Sequence, residues 1–464
     1  EGKFMSLVCG RAPQDGAAWG VEAIKNAINL LNYADEKEAK LLRSFIRAQI
    51  TPENEDRLLT SVSLGSLSIL RDIIANESEV KLPLNTSFYN MDRMVTQREN
   101  YAFGIAMSSE RISTYESVDQ CNKDGWYTGD GMLYLYKSGE DHYNSDYWNY
   151  ADPYKRPGTT EDTQEMLKES MAGGYFPDCD FAGSVSLDAC GVAAMEFEAF
   201  HNETPPADTD YSGYGGSFPL HTSTLTAKKA WFMFDDEAVC LGTDIDANDG
   251  YEVITTIENR MKTDDSQIAV AGGTDFTASE QTQRITWAHI SNCAGYYFPN
   301  GSDITFQETA NKKVFYEMYQ SHGISPKHQK YAYVILPDLS ADETQAYALN
   351  PDIVILNNDS HIQAVSEKTT GMTGIVFRKS GVCGNISVDS PLIAMIQETE
   401  TEVKIVFCDP TQKLTSVNLT VTGRFGRYYG DETISCTISK DYAELNADIS
   451  KDLGAGHEIT LVKK

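Results

Sequence analysis

Through residues 17–76 apolar side chains recur at intervals of three and four, the spacing of helices buried along one face. Val21, Ile24, Ile28 and Leu31 make the first such face. In ADEKEAKLLRSFI, Asp35 and Glu38 stand three apart, which predicts a capping box at the start of a second helix. TPENEDRLL predicts a third, with Thr51 as N-cap and Pro52 at the first helical position, where its missing N–H costs nothing. Leu67, Leu70, Ile73 and Ile74 give a fourth face. Four short helices bury little apolar surface among themselves, so the pattern predicts packing on further helices.

From about residue 85 the period changes. Short runs follow one another: YAFGIAMSS, GMLYLY, KAWFMFDDEAVCLG, YEVITTIE, RITWAHI, YAYVILP and DIVILN. Gly, Asn, Asp and Pro punctuate them, as in the hairpins of a large antiparallel sandwich. No alternation of strand and helix is visible, which argues against a doubly wound fold. A smaller β unit begins near residue 360, with GIVFRK, EVKIVFCD, VNLTVTG, TISCTIS and HEITLVKK. No fixed-period repeat is present.

Composition narrows the partners. The 464 residues exceed what one core organises and predict two or three domains. A formal net charge of −30, from 68 acids against 38 bases, disfavours nucleic acid as the main partner, since phosphate binding needs a basic face. A polyanion would have to bind at a local basic site. No run of about 18 apolar residues predicts a membrane-spanning helix. The nine cysteines are scattered without a CxxC pair, which argues against a zinc ribbon or a thioredoxin-like site and predicts small apolar core residues.

Two charged residues stand out as candidate chemistry. Arg11 in CGRAPQDG precedes the first helix; its planar fork suits bidentate contact with a carboxylate or sugar oxygen, although such residues are more often solvated. Glu116 lies between a strand-like run and the Gly-rich stretch GWYTGDG, where a carboxylate orients an arginine, acts as acid or base, or simply faces water. QCNKDG has part of a calcium loop, but its first position is Gln120 and its twelfth is Gly131, so calcium is not supported by a clear motif. DIDANDG at Asp244 has its Gly misplaced and is expected to be an acidic turn. The histidines, among them His142, His201, His221 and His289, show no ligand spacing, and no metal or other cofactor is expected. The aromatic stretch HYNSDYWNYADPY, residues 142–154, suits either stacking on a sugar ring or plugging a core or domain seam.

The long segments NMDRMVTQRENYAFGIAMSSERISTYESVDQCNKDGWYTGDGMLYLY, YWNYADPYKRPGTTEDT and TLTAKKAWFMFDDEAVCLGTDI, in this order, resemble the central β domain of the family 8 polysaccharide lyases. That family includes hyaluronate, chondroitin AC and xanthan lyases. The resemblance implies an α+β, mainly β architecture: the C-terminal hairpins of an incomplete α/α toroid (1–80), a large antiparallel super-sandwich (81–358) and a small C-terminal β domain (359–464). It also implies β-elimination at a uronic acid of an acidic polysaccharide, outside the cell or at its surface. The family's carboxylate-neutralising Asn and its proton-handling His and Tyr find no match here and are expected in toroid segments preceding Glu1, the missing N-terminal helical region being the chain's expected partner.

Two catalytic candidates do match. Arg11 resembles the middle arginine of an Arg-Gly-Arg-x-x-Ser-Arg segment, and Glu116 resembles the acid that holds that arginine. Asp119 and Asn122 fall in the same segment as Glu116 and are expected to contact substrate. The outer arginines of the first segment are replaced by Cys9 and Asp15, and the Asn usual three residues after the acid by Asp119. These departures motivate an alternative, a catalytically inactive carbohydrate-binding or structural protein on the same scaffold.

Overall fold

The computed structural model describes residues 2–52, 54–76, 81–118, 121–166, 175–199, 223–451 and 453–464. These residues form two compact units, one of residues up to Pro83 together with Tyr143–Trp148, the other of all the rest.

In the first unit, helices α1 (Gly16–Leu30), α2 (Glu36–Ala48), α3 (Glu55–Ser61) and α4 (Leu64–Ala75) enclose Ile24, Ile28, Ile46, Leu58, Leu70 and Ile73. The faces spaced at three and four are the ones buried. Asp35 and Glu38 close a reciprocal capping box on α2: the Asp35 carboxylate accepts the Glu38 N–H at 2.8 Å, and Glu38 accepts the Asp35 N–H at 3.0 Å. The start of α3 differs from the sequence expectation. Thr51 does not cap it; the helix begins at Glu55, behind a turn in which Asn54 Oδ1 accepts the Thr51 N–H at 3.0 Å. The Thr51 carbonyl in turn accepts the Asn54 and Glu55 N–H groups, so a turn spends the groups that a helix would have used.

The second unit is a stack of antiparallel sheets. Asn85–Phe88, Arg93–Gln97, Tyr101–Ala106 and Met132–Lys137 form a four-stranded sheet in chain order. A twelve-stranded sheet carries the path Gln281–Ile290, Ala294–Asn311, Gln329–Leu336, Ala238–Asp246, Thr226–Met233, Cys190–Glu198, Ala182–Leu187. Seven- and five-stranded sheets make the small C-terminal sandwich. Along the chain the strands are interrupted by α5 (Ser145–Tyr150), most of which belongs to the first unit, and by α6 (Ala341–Leu349), which opens on a Ser340–Glu343 capping box.

Alternation explains the layering. Along Thr226–Met233, Ala227, Trp231 and Met233 point into a core shared with Phe103, Ile105 and Leu133 of the four-stranded sheet. Ala230 and Phe232 point the other way, against Val365, Val376 and Met395 of the seven-stranded sheet. That sheet's opposite face, including Ile375, Phe377, Ile405 and Phe407, closes the core of the small sandwich. Because the strand is buried on both sides, its sequence reads as a near-continuous apolar run. None of the nine cysteines forms a disulfide; Cys190, Cys240, Cys293, Cys383 and Cys408 are buried, whereas Cys121 is exposed. No described helix is long and apolar enough to cross a membrane.

Gly374 lies where the seven-stranded sheet meets Phe232 and Val192, and a Cβ there would come within 2.5 Å of the Phe232 ring. Gly374→Val is expected to destabilise the protein by about 1–3 kcal/mol through overpacking, read as a lower urea midpoint at unchanged slope.

Candidate functional site

The stretch from Ser108 to Gly131 leaves the four-stranded sheet after Ala106 and rejoins it at Met132. Its base is tied down first. Ser109 Oγ donates to Asp92 at 2.5 Å, and Arg111 donates to the Asp180 and Ala182 carbonyls at 2.8 and 2.9 Å. The Thr114 N–H donates to the Tyr175 carbonyl. Burial then alternates: Tyr115 and Ser117 point inward and Glu116 points to solvent. Tyr115 joins Trp126, Tyr127 and Met166 in a small apolar cluster, against which Tyr154 packs with its ring 5.5 Å from that of Trp126.

Asn122 closes the loop on itself. It has φ 54°, a left-handed conformation that asparagine tolerates, and its Nδ2 donates to the Glu116 carbonyl at 2.9 Å. Ser117 Oγ donates to the Cys121 carbonyl at 2.9 Å, a second tie across the same turn. Gly125 is required beneath it, since a Cβ would lie 2.4 Å from the Asn122 amide. Thr128 Oγ1 donates to the Gly125 carbonyl at 2.8 Å, and the Gly131 N–H returns to the Ala106 carbonyl. Ser117 and Asn122 thus tie a built loop on which Glu116 is exposed.

Beneath the loop lies a feature that sequence inspection missed. Lys229, fully buried on the strand Thr226–Met233, donates through Nζ to the Asp130 and Gly158 carbonyls, both at 2.7 Å, and lies 5.7 Å from the centre of the Trp231 ring. Asp130 and Glu161 are buried beside it. Burial pushes the Asp130 carboxyl up to about 7 against the pull of Lys229 and Ser108. Burial, with Asp130 adding to it, holds Glu161 well above the carboxylate range. Burial likewise pushes Lys229 down to about 8, opposed by Glu161 and Asp130.

Arg11 belongs to the helical unit. It is exposed in a tight loop between two 3-10 turns, Ser6–Val8 and Pro13–Asp15, where Ser6 Oγ donates to the Pro13 carbonyl at 2.7 Å. Asp15 is exposed immediately before α1, a position in which the helix dipole favours an acid. Burial, reinforced by Asp15, pushes the Cys9 thiol up to about 11. Asp119 lies outside the described residues, as do His201 and His221. Of the four residues named from sequence, the structure joins Glu116 and Asn122 directly, and it turns the Asn122 donor toward the loop. In the aromatic stretch, Tyr143 and Tyr147 are buried with ring centres 5.0 Å apart, the plug reading of that segment. Asp244 and Asp246 gather with His328, but Asp244 is also bound to Lys228 at 3.0 Å, so a cation already occupies the turn.

Residues 83–348 match the polysaccharide lyase family 8 super-sandwich domain, and residues 354–418 match that family's C-terminal β-sandwich domain. The chain is 26% identical to a hyaluronate lyase of Thermasporomyces composti, over 90% of this chain and 55% of the relative. It is 29% identical to a xanthan lyase of Bacillus sp. strain GL1, over 81% of this chain and 42% of the relative. The Paenibacillus xanthan lyase structure superposes with a TM-score of 0.85 at 26% identity, covering 100% of this chain and 46% of that one. The chain therefore spans about half the length of the relatives it matches.

The buried cation carries a prediction. Lys229→Met removes the donor to two carbonyls and the counter-charge of two buried carboxyls, and is expected to cost about 3–5 kcal/mol. Both carboxyls sit above their ordinary range, so the folded state holds protons that the unfolded chain releases, and their contribution weakens as pH rises from about 4, for Asp130 up to about 7. Without Lys229 that weakening deepens, so the loss should be larger at about pH 8 than at about pH 5. Urea denaturation at both pH values measures it; equal losses would show that the carboxyls do not sense the lysine.

Proposed function

The chain belongs to polysaccharide lyase family 8, and we propose that it forms the sandwich wall and the last toroid hairpins of an enzyme that cleaves an acidic polysaccharide by β-elimination. The observation that carries the proposal is the loop at 108–131: its hydrogen bonds and aromatic cluster leave Glu116, which in sequence resembles the family's supporting acid, exposed. Elimination removes the C5 proton of a uronic acid and breaks the C4–O bond, leaving an unsaturated sugar. The C5 proton is weakly acidic, so the site must offset charge building on the adjacent carboxylate. In this reading the resemblance gives Arg11 the bridging oxygen and Glu116 the hold on its guanidinium, while an Asn of the toroid offsets the charge on the uronate carboxylate and proton transfer falls to a Tyr with a neighbouring His there. Asn122 acts on the loop as a positioning residue, and Asp119, by its place in the same sequence segment, is proposed to tune which anionic sugar is accepted. A polymer of this size does not cross membranes, so the proposal places the reaction outside the cell.

The direct test is incubation with hyaluronan, chondroitin and xanthan, following the ultraviolet absorbance of the unsaturated product. Residues 1–464 alone are expected to form none, and the protein carrying a complete toroid is expected to cleave at least one polymer. No product from that protein on any of the three would favour the inactive scaffold suggested by Asp15 and Asp119.

In the active protein, Arg11→Ala is expected to lower kcat by roughly 100-fold, the cost of removing one transition-state donor. Glu116→Gln keeps the shape, removes the charge and should cost a similar factor, while the double variant should lose little more than either single. Steady-state kinetics of the four proteins decide it; fully additive losses would mean that the two residues act independently.

A further inference from the structure

The small C-terminal sandwich is not closed at one end. Where the strands Met372–Phe377 and Leu392–Glu398 meet the tight turn at Gly384–Asn385, a cavity of about 500 Å³ remains. That volume falls within the range of about 300–1,000 Å³ typical of small-molecule sites. Its lining divides by chemistry. Leu356, Ile375 and Ile396 supply aliphatic surface, whereas Thr373, Asn385 and Glu398 supply hydroxyl, amide and carboxylate. Thr373 and Ile375, like Ile396 and Glu398, alternate along their strands onto the face that elsewhere makes the sandwich core. The polar pair therefore stands where two more apolar residues would have sealed it.

The polar groups are held in place. Lys463 Nζ donates to Glu398 Oε1 at 2.6 Å and to the Thr399 carbonyl at 2.7 Å, which fixes the carboxylate. The Asn385 carbonyl accepts the Thr422 N–H, which fixes the turn. Gly384, at φ 57°, has no atom within 4 Å of where a Cβ would stand, so the turn carries nothing into the space.

We propose that this cavity is a binding site for a neutral pyranose unit. A pyranose presents an apolar C–H face and a rim of hydroxyls, the same division as the lining. Glu398 accepts from a sugar hydroxyl through its second oxygen, and with Lys463 engaged by Glu398 and Thr399 the lining offers no cation to pair a uronate. No aromatic ring lines the cavity, so affinity rests on hydrogen bonds and aliphatic contact and should be on the order of millimolar. The site is separate from the Glu116 loop, and the inference does not depend on lyase activity: a chain that cleaves nothing would still bind.

Saturation-transfer NMR on the full chain tests this, with methyl glucoside, N-acetylglucosamine and sodium glucuronate as probes. At least one neutral sugar should receive saturation and glucuronate should not. Thr373→Trp, which fills the cavity, should abolish the signal. Should that variant not fold, Asn385→Ala, which removes only a rim amide, should weaken the signal, and it then decides. Absence of signal from both neutral sugars, an equal signal from glucuronate, or a signal untouched by the deciding variant would overturn the proposal.

Discussion

The constraint on which the β unit depends is that its central sheet is covered on both faces. Trp231 and Phe232 are neighbours in sequence and both fully buried, yet they belong to different cores. A sheet covered on one side tolerates polar residues on the other; here every position from Lys229 to Met233 is buried and must satisfy one of two neighbours. A one-residue slip of register would exchange the two sets, placing Trp231 where Gly374 leaves room only for Phe232. The two sandwiches are thus specified together, and neither sheet order nor register can change in one alone.

The same strand explains why the Glu116 loop is where it is. Lys229 lies between Lys228, which reaches Asp244, and the small Ala230, and it is the residue whose side chain rises through the core to the Asp130 and Gly158 carbonyls. A lysine so deep stays only because carbonyls and carboxyls surround it. The loop is then anchored twice, by its own ties at Asn122 and Ser117 and from below by the central sheet. Local sequence supplies the first anchor, tertiary structure the second.

That division also marks what could be read from sequence. The strands emerge where apolar residues alternate or run unbroken, and the α2 cap emerges because Asp35 and Glu38 lie within one turn. The start of α3 was misplaced because Pro52 is an equally good turn residue, and Asn54 offered the chain a side-chain acceptor for the Thr51 N–H. α6 passed unread although Ser340 and Glu343 carry the capping spacing, since its nine residues bury little and show no apolar face. Lys229 was invisible as a site: in KKAWFMF it looks like a solvated strand end, and its partners lie 99 and 71 residues away in sequence. Asn122 was legible as a member of the loop, but the direction of its donor depends on a left-handed backbone that composition does not reveal.

The scattered thiols have a practical consequence. Burial raises the thiols of Cys240, Cys293 and Cys408, so these sulfurs stay protonated and shielded. Cys121 alone of the nine is exposed, and it stands between the two ties that hold the Glu116 loop, its own carbonyl accepting from Ser117. A fluorophore or spin label offered to the folded protein would therefore attach there first. The chain supplies its own attachment point for watching the Glu116 loop, with no residue changed to create it.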